Sequence, residues 1–188
     1  SEMCIRDRSY TAQQGRLVVI TGPNGGGKTT LAKLIAGLEK PTSGKIYLNN
    51  EDITDCDITQ RAKKGIAYAF QQPVRFKGIT IQELLELAAG KELSYTELCD
   101  LLGKVGLCAR EYINRELDSG LSGGEMKRVE IASVLARNAK VTIFDEPEAG
   151  IDLWSFTKLV ETFQELRSRQ NGLLLIICLL YTSDAADD

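Results

Sequence analysis

Apolar and polar positions change their period several times along the chain, and each change marks an element. Arg16-Leu-Val-Val-Ile-Thr21 is a short apolar run that stops at Gly22, after which Leu31, Leu34, Ile35 and Leu38 recur at helical spacing within Lys28 to Leu38. That order predicts a strand, a glycine-rich loop and a helix. Pro41-Thr-Ser-Gly44 carries turn chemistry, and Lys45-Ile-Tyr-Leu48 running into Asn49-Asn50 predicts a small antiparallel hairpin. From Ile79 to about Leu117 the period is helical again, with Leu84, Leu85, Leu87 and Ala88 followed by Leu98, Leu101, Leu102 and Val105. This predicts a separate helical lobe over about 78–120. A long helix is expected from Leu121-Ser-Gly-Gly124 to about Arg137, then a buried strand over Val141-Thr-Ile-Phe144 and a helix from roughly Trp154 to Arg169. Leu173 to Ile177 is apolar throughout, the pattern of a central parallel strand covered on both faces. The class is therefore α/β, with a single domain expected over 9–177.

Composition narrows the function classes. A hydrophobic content of 43% in 188 residues suffices for one sizeable core. The 23 basic and 26 acidic residues, net charge -3, include no long basic run, so nucleic acid is not the expected partner. The longest apolar run, Leu173 to Leu180, is far below the roughly 20 residues that cross a bilayer. A cytoplasmic chain is expected, with any membrane role borrowed from a partner. The 5 cysteines, Cys4, Cys56, Cys99, Cys108 and Cys178, form no C-x-x-C pair and read as ordinary thiols of a reducing compartment. Neither Ser1 to Arg8 nor Cys178 to Asp188 continues any period of the body. Both resemble peptide strings made when sequencing-adapter DNA is translated, so 1–8 and 178–188 are expected to be foreign tails on a domain truncated at both ends.

Three motifs carry chemistry. Gly22-Pro23-Asn24-Gly25-Gly26-Gly27-Lys28-Thr29 satisfies G-x-x-x-x-G-K-[ST] between a predicted strand and a predicted helix. Glycines let backbone N–H groups turn toward phosphate oxygens, and the helix N-terminus adds a favourable dipole. Lys28 is then placed for the β- and γ-phosphates of a nucleotide, Thr29 for a hard Mg²⁺ ion, and Thr30 closes the loop's contact set. Val141 to Phe144 ends in Asp145-Glu146, two carboxylates that need a reason to stand at the end of a buried strand. Asp145 is the expected Mg²⁺ holder and Glu146 the base for an attacking water. Ser122-Gly123-Gly124-Glu125 forms a capping box, and its two glycines leave a bare helix N-terminus suited to a second anion contact.

More than a hundred positions separate Lys28 from Asp145, with Ser122 late in that interval, so a helical lobe is inserted between the two halves of the phosphate site. In this order the motifs resemble those of ATP-binding-cassette (ABC) ATPases over essentially the whole of 9–177. The resemblance implies the ABC ATPase fold: a P-loop NTPase core with a mostly parallel sheet, a small antiparallel β subdomain and the inserted helical lobe. It also implies ATP and Mg²⁺ as cofactors, hydrolysis of ATP, and a dimer of two such subunits in which Ser122, Gly123 and Gly124 close on the partner's nucleotide. Ala69-Phe70-Gln71-Gln72-Pro73 resembles the family's glutamine loop, with Gln71 (or, one position on, Gln72) sensing the metal and the water. Asp152 in Ala149-Gly150-Ile151-Asp152 resembles the loop through which subunits communicate, and is equally an N-cap for the following helix. The family's switch histidine and adenine-stacking aromatic have no counterpart: the chain holds 0 histidines, and Tyr10 is too close to Gly22.

Glu125, Met126-Lys127-Arg128 and the stretch Ala69 to Gly78 resemble the ATPase of SUF-type iron–sulfur cluster assembly. On that resemblance the expected partner is a soluble SUF-type scaffold, with the transmembrane subunits of an ABC transporter as the alternative. A partner surface is expected around Val74 to Leu107. Chromosome-structure and DNA-repair ATPases of the same family are the least favoured reading, because the short interval from Lys28 to Ser122 has no room for their insertions.

Overall fold

The computed structural model describes residues 9–70, 78–117, 120–169 and 172–178, with backbone alone at 153–154 and 165–169. Four parallel strands form the main sheet: β1 (Leu17–Ile20), β4 (Ile66–Ala69), β5 (Val141–Asp145) and β6 (Leu173–Ile177), in the order β1-β6-β5-β4. The all-apolar β6 is central, as its composition predicts, between β1 and β5. Its alternating side chains feed two cores. Leu175 and Ile177 join Val141, Ile143 and Ile66 under α1 (Lys28–Ala36), which contributes Ala32 and Ala36. Leu174 and Ile176 join Phe144, Ala67 and Ala69 on the opposite face.

That opposite face is covered by α6 (Gly123–Ala136) and α7 (Leu153–Arg169), the latter through Leu159 and Phe163. The short helices α3 (Ile81–Ala89), α4 (Tyr95–Lys104) and α5 (Ala109–Tyr112) occupy the expected helical region. Among the described residues they have no core of their own. Ile81, Leu85, Leu98, Leu102 and Ala109 belong to the cluster that reaches Phe144 and Leu174. The reason is α6, whose buried Met126, Val129, Ile131, Ala132 and Val134 project in several directions and join the helices to the sheet.

A second, two-stranded antiparallel sheet pairs β2 (Tyr47–Leu48) with β3 (Glu51–Asp52). Asn49 and Asn50 adopt φ of 51° and 66°, the pair of positive values that a tight two-residue hairpin turn demands. Two elements carry no sequence expectation: α2 (Ile58–Lys63) and β4. Asp57 and Gln60 nevertheless make a full capping box for α2. From α2, Arg61 is buried to 1% and donates to the carbonyls of Cys56, Thr54, Leu34 and Ile35. It thereby ties the C-terminal turn of α1 to the segment after the hairpin.

Candidate functional site

The parallel sheet directs its loops to one edge: the Gly22 loop leaves β1, Asp145-Glu146 ends β5, Phe70 follows β4 and Cys178 follows β6. Ligands of open parallel sheets bind outside the carboxyl ends of the strands. Pro23, Asn24 and Gly25 form the exposed rim of the first loop. The Gly26 N–H donates to the Pro23 carbonyl at 3.0 Å, and a Cβ on Gly26 would stand 2.8 Å from that oxygen. Gly27 caps α1 with φ 79° and no side-chain hydrogen bond, so the N–H groups of the first turn keep their donors for a ligand. Lys28 is buried and curls back over the loop, its ammonium donating to the carbonyls of Gly22 at 2.7 Å and Pro23 at 2.8 Å.

Thr29 follows on α1 and donates its hydroxyl to Asp145 Oδ1 at 3.2 Å, across 116 positions of sequence. Thr30 is exposed on the outer side of the same turn. Asp145 has no solvent exposure, and its Oδ2 accepts from the Tyr68 hydroxyl at 2.8 Å. Strand alternation explains the meeting: Val141, Ile143 and Asp145 of β5 share the α1 face with Ile66 and Tyr68 of β4. Burial first, then the bond to Asp145, pushes the Tyr68 phenol's pKa up and keeps it a donor. Tyr68 carries no sequence expectation. Its signal is the apolar run Ile66-Ala-Tyr-Ala-Phe70 after Gly65, which ends on the same edge as the Asp145 strand.

Glu146 adopts φ 48° directly before Pro147, a left-handed conformation rare outside glycine. Its N–H donates to Ile177 O at 2.9 Å and its carbonyl accepts from Ala149 N at 3.0 Å, so strand and turn together hold the strained residue. Such strain costs about 1–3 kcal/mol and accumulates at functional positions. Asp152 acts as the N-cap: Oδ1 accepts from Ser155 N at 2.9 Å and Oδ2 from the Ser155 hydroxyl at 2.7 Å, bonds that lower its carboxyl pKa. Arg128 of α6 donates to the Ser155 hydroxyl at 3.1 Å, linking that cap to the helix that follows Ser122. A Cβ on Gly124 would sit 3.0 Å from Gly150 O, so the first turn of α6 and the Gly150 turn touch within one chain.

At the start of α6 the capping box forms as expected: Glu125 N donates to Ser122 Oγ at 3.2 Å and Ser122 N to Glu125 Oε2 at 2.7 Å. Tyr112 donates to the other Glu125 oxygen, and Arg115, stacked 4.7 Å over the Tyr112 ring, lies 3.9 Å from it. The Tyr112 bond first, then those from Ser122, lower the Glu125 pKa to about 2. Gly123 and Gly124 retain first-turn N–H groups without an intrahelical partner. No hydrogen bond among the described residues joins Ser122, Gly123 or Gly124 to the Gly22–Thr30 loop.

Gln71 and Gln72 lie outside the described residues. Just before them, Phe70 is gripped by α6: its N–H donates to Glu130 Oε1 at 2.8 Å and its carbonyl accepts from buried Lys127. Lys127 also pairs with Glu130 at 3.4 Å, and burial nonetheless pushes the Glu130 carboxyl's pKa up. Phe70 packs edge-on against Tyr68, ring centroids 5.1 Å apart at 86°. The oxygen donors of Thr29 and Asp145 suit a hard divalent cation that takes its remaining ligands from phosphate and water. No cluster of three or more His, Cys, Asp or Glu residues suited to a metal occurs among the described residues, and none of their helices is long and apolar enough to cross a membrane.

A family model described as ABC transporter matches residues 5–149. An uncharacterized ABC transporter ATP-binding protein of Methanocaldococcus jannaschii is 38% identical over 176 residues, covering 89% of this chain and 70% of the relative. The lipopolysaccharide export system ATP-binding protein LptB of Haemophilus influenzae is 35% identical over 181 residues, covering 93% and 74%. Among solved structures, a dimeric post-hydrolysis ATP-binding cassette bound to ADP and Pi superposes with a TM-score of 0.79 at 28% identity, covering 90% of this chain and 77% of that one. These names are those of transporter components, and the expected SUF-type assignment finds no support in them. Nor does the expectation of foreign ends. The family match starts at residue 5, inside 1–8, and the Cys178 N–H donates to Ile20 O at 3.2 Å as a continuation of the sheet. With its parallel-sheet cassette fold, its phosphate loop and the convergence of Thr29 on Asp145, the chain belongs to the ABC transporter family as an ATPase domain.

Proposed function

We propose that the chain is the ATP-binding subunit of an ABC membrane transporter, coupling MgATP binding and hydrolysis to the movement of transmembrane partner subunits. The observation that carries the reading is the hydrogen bond between Thr29 and Asp145, which brings the two expected metal-holding residues together from opposite ends of the fold. The transporter names of the relatives support membrane subunits, rather than a soluble SUF-type scaffold, as the partner.

In this reading the first-turn N–H groups of α1, with Gly22, Gly25, Gly26 and Gly27, cradle the phosphates, and the Lys28 ammonium exchanges its loop carbonyls for phosphate oxygens. Thr29 and Asp145 would hold Mg²⁺, which supplies charge neutralisation at the phosphates. Glu146, fixed at the end of β5, takes the proton of the attacking water, and Gln71 helps to orient that water. Ser122, Gly123 and Gly124 act on the nucleotide of a second copy, and Asp152 faces the dimer seam. The dimeric cassette bound to ADP and Pi supports that arrangement. A cleft of about 250 Å³ between β4, α3 and α6, lined by Phe70, Leu84, Ala88 and Met126, is in this reading the surface that meets the membrane partner.

Glu146→Gln tests the chemistry. ATP binding by the variant is expected to match the parent, while turnover falls by about a hundred- to ten-thousandfold, the usual worth of a general base. Steady-state phosphate release at the parent rate would remove Glu146 from that role. Co-purification of the native protein with detergent-solubilised membrane subunits supports the transporter reading, whereas recovery with a soluble scaffold alone refutes it.

A further inference from the structure

We propose that Tyr68 is a positioning residue that makes Asp145 a one-oxygen ligand and so biases the site toward Mg²⁺ over Ca²⁺; this rests on the proposed role of Asp145 in holding the metal. Thr29 meets Oδ1 at 3.2 Å and Tyr68 meets Oδ2 at 2.8 Å, so the two oxygens of one fully buried carboxylate face different partners. Oδ1 is thus the oxygen met by the residue that follows Lys28 on α1, and Oδ2 the one met by β4. With Oδ2 engaged by the phenol, the carboxylate plane is fixed and cannot turn both oxygens toward one cation. Mg²⁺ is small, demands near-octahedral geometry and takes single carboxylate oxygens, whereas Ca²⁺ readily accepts both.

Tyr68 is held for this task from behind. Its ring is edge-on to Phe70, and the Phe70 backbone is gripped on both sides by Glu130 and Lys127 of α6. The phenol thus has a fixed origin on β4 and a fixed target on β5. Groups that orient a metal ligand typically govern metal affinity by about ten- to a hundredfold.

Tyr68→Phe removes the hydroxyl and keeps the ring on Phe70. The experiment titrates Mn²⁺ into the 188-residue chain with ATP, by electron paramagnetic resonance, and competes it with Mg²⁺ or Ca²⁺. Relative to the parent, Mn²⁺ and Mg²⁺ affinities are expected to fall about tenfold while Ca²⁺ changes less than about threefold, so the preference for Mg²⁺ narrows. Metal-free ATP binding stays at the parent value, while Tm falls by a few degrees because buried Oδ2 loses its donor. Unchanged Mg²⁺ and Ca²⁺ affinities overturn the proposal. So does an equal loss for both ions accompanied by weaker metal-free ATP binding, because the hydroxyl would then serve only the fold. If the parent itself takes up no Mn²⁺ with ATP, the metal-site reading fails before Tyr68 is reached.

Discussion

The two helices whose N-termini carry the glycine motifs, α1 and α6, are built in opposite ways. α1 begins at Gly27 without a side-chain cap and with no acidic residue in its first turn. Its far end carries the restraint, where Arg61 donates to Leu34 and Ile35 carbonyls beside Gly37. α6 is fastened at its start, where Ser122 and Glu125 bind each other's N–H groups and Tyr112 and Arg115 close around Glu125. A helix that must give its first-turn donors to a ligand cannot also spend them on its own cap, so its order has to come from elsewhere. α6 keeps free only what Gly123 and Gly124 offer and can tolerate self-capping, in keeping with the contact to a second copy's nucleotide proposed above.

The largest break in this contrast is expected at Gly26. An added Cβ would stand 2.8 Å from the Pro23 carbonyl, so Gly26→Ala must open the loop that aligns the α1 donors. Loss of two aligned donors corresponds to about 3 kcal/mol, roughly a hundredfold in ATP affinity. Calorimetric titration of ATP gives the number, and affinity within threefold of the parent would mean that the loop's shape is not what binds. The helical content of the variant should be unchanged, because α1 is anchored at its other end.

Arg61→Met separates the two ends of α1. The thioether fills part of the guanidinium's volume but leaves the carbonyls of Cys56, Thr54, Leu34 and Ile35 without their donor. Unfolding free energy is expected to fall by about 3 kcal/mol at neutral pH, read from denaturant midpoints. The corresponding cut at α6 should cost less, since its cap is partly open to water. Equal losses at the two sites would erase the asymmetry.

What could be read from the sequence follows the same division. Gly22 to Thr29, the strand ending in Asp145 and the Ser122–Glu125 box are local patterns in which spacing alone dictates geometry, and each was legible. The hairpin at Asn49-Asn50 was legible for the same reason. Arg61 was not, because its burial depends on carbonyls of the α1 end and of the segment after the hairpin, which meet only after folding, and in sequence it is one more charge on a short helix. Tyr68 was hidden likewise by the 77 positions that separate it from Asp145. The helical region shows the limit from the other side. Its period correctly announced helices, but periodicity cannot say that α3 and α4 share the core of the sheet through α6. Asp152 was legible in both of its readings, and the cap is the one its hydrogen bonds satisfy.

The smallest effect is the pH dependence at the start of α6. Glu125 is held at about 2 in the folded chain, against 4.5 for an unperturbed glutamate, by the Tyr112 hydroxyl first and the Ser122 donors second. A carboxyl whose folded pKa is depressed contributes its stability above the unfolded value and loses it as pH falls toward the folded one. That contribution is therefore complete above about pH 5 and fades between about 4.5 and 2. Partial exposure screens the interaction, so its size is set nearer to the ~1 kcal/mol typical of a helix cap than to the full shift. Glu125→Gln keeps an oxygen for Ser122 N but removes the charge from Tyr112 and Arg115. At pH 6.5 the variant is expected to unfold about 1 kcal/mol more easily than the parent, and at pH 3 the gap should have closed by more than half. A gap that stays constant across that range would mean that the capping box works through its geometry alone, and the charge at the start of α6 would drop out of the comparison with α1.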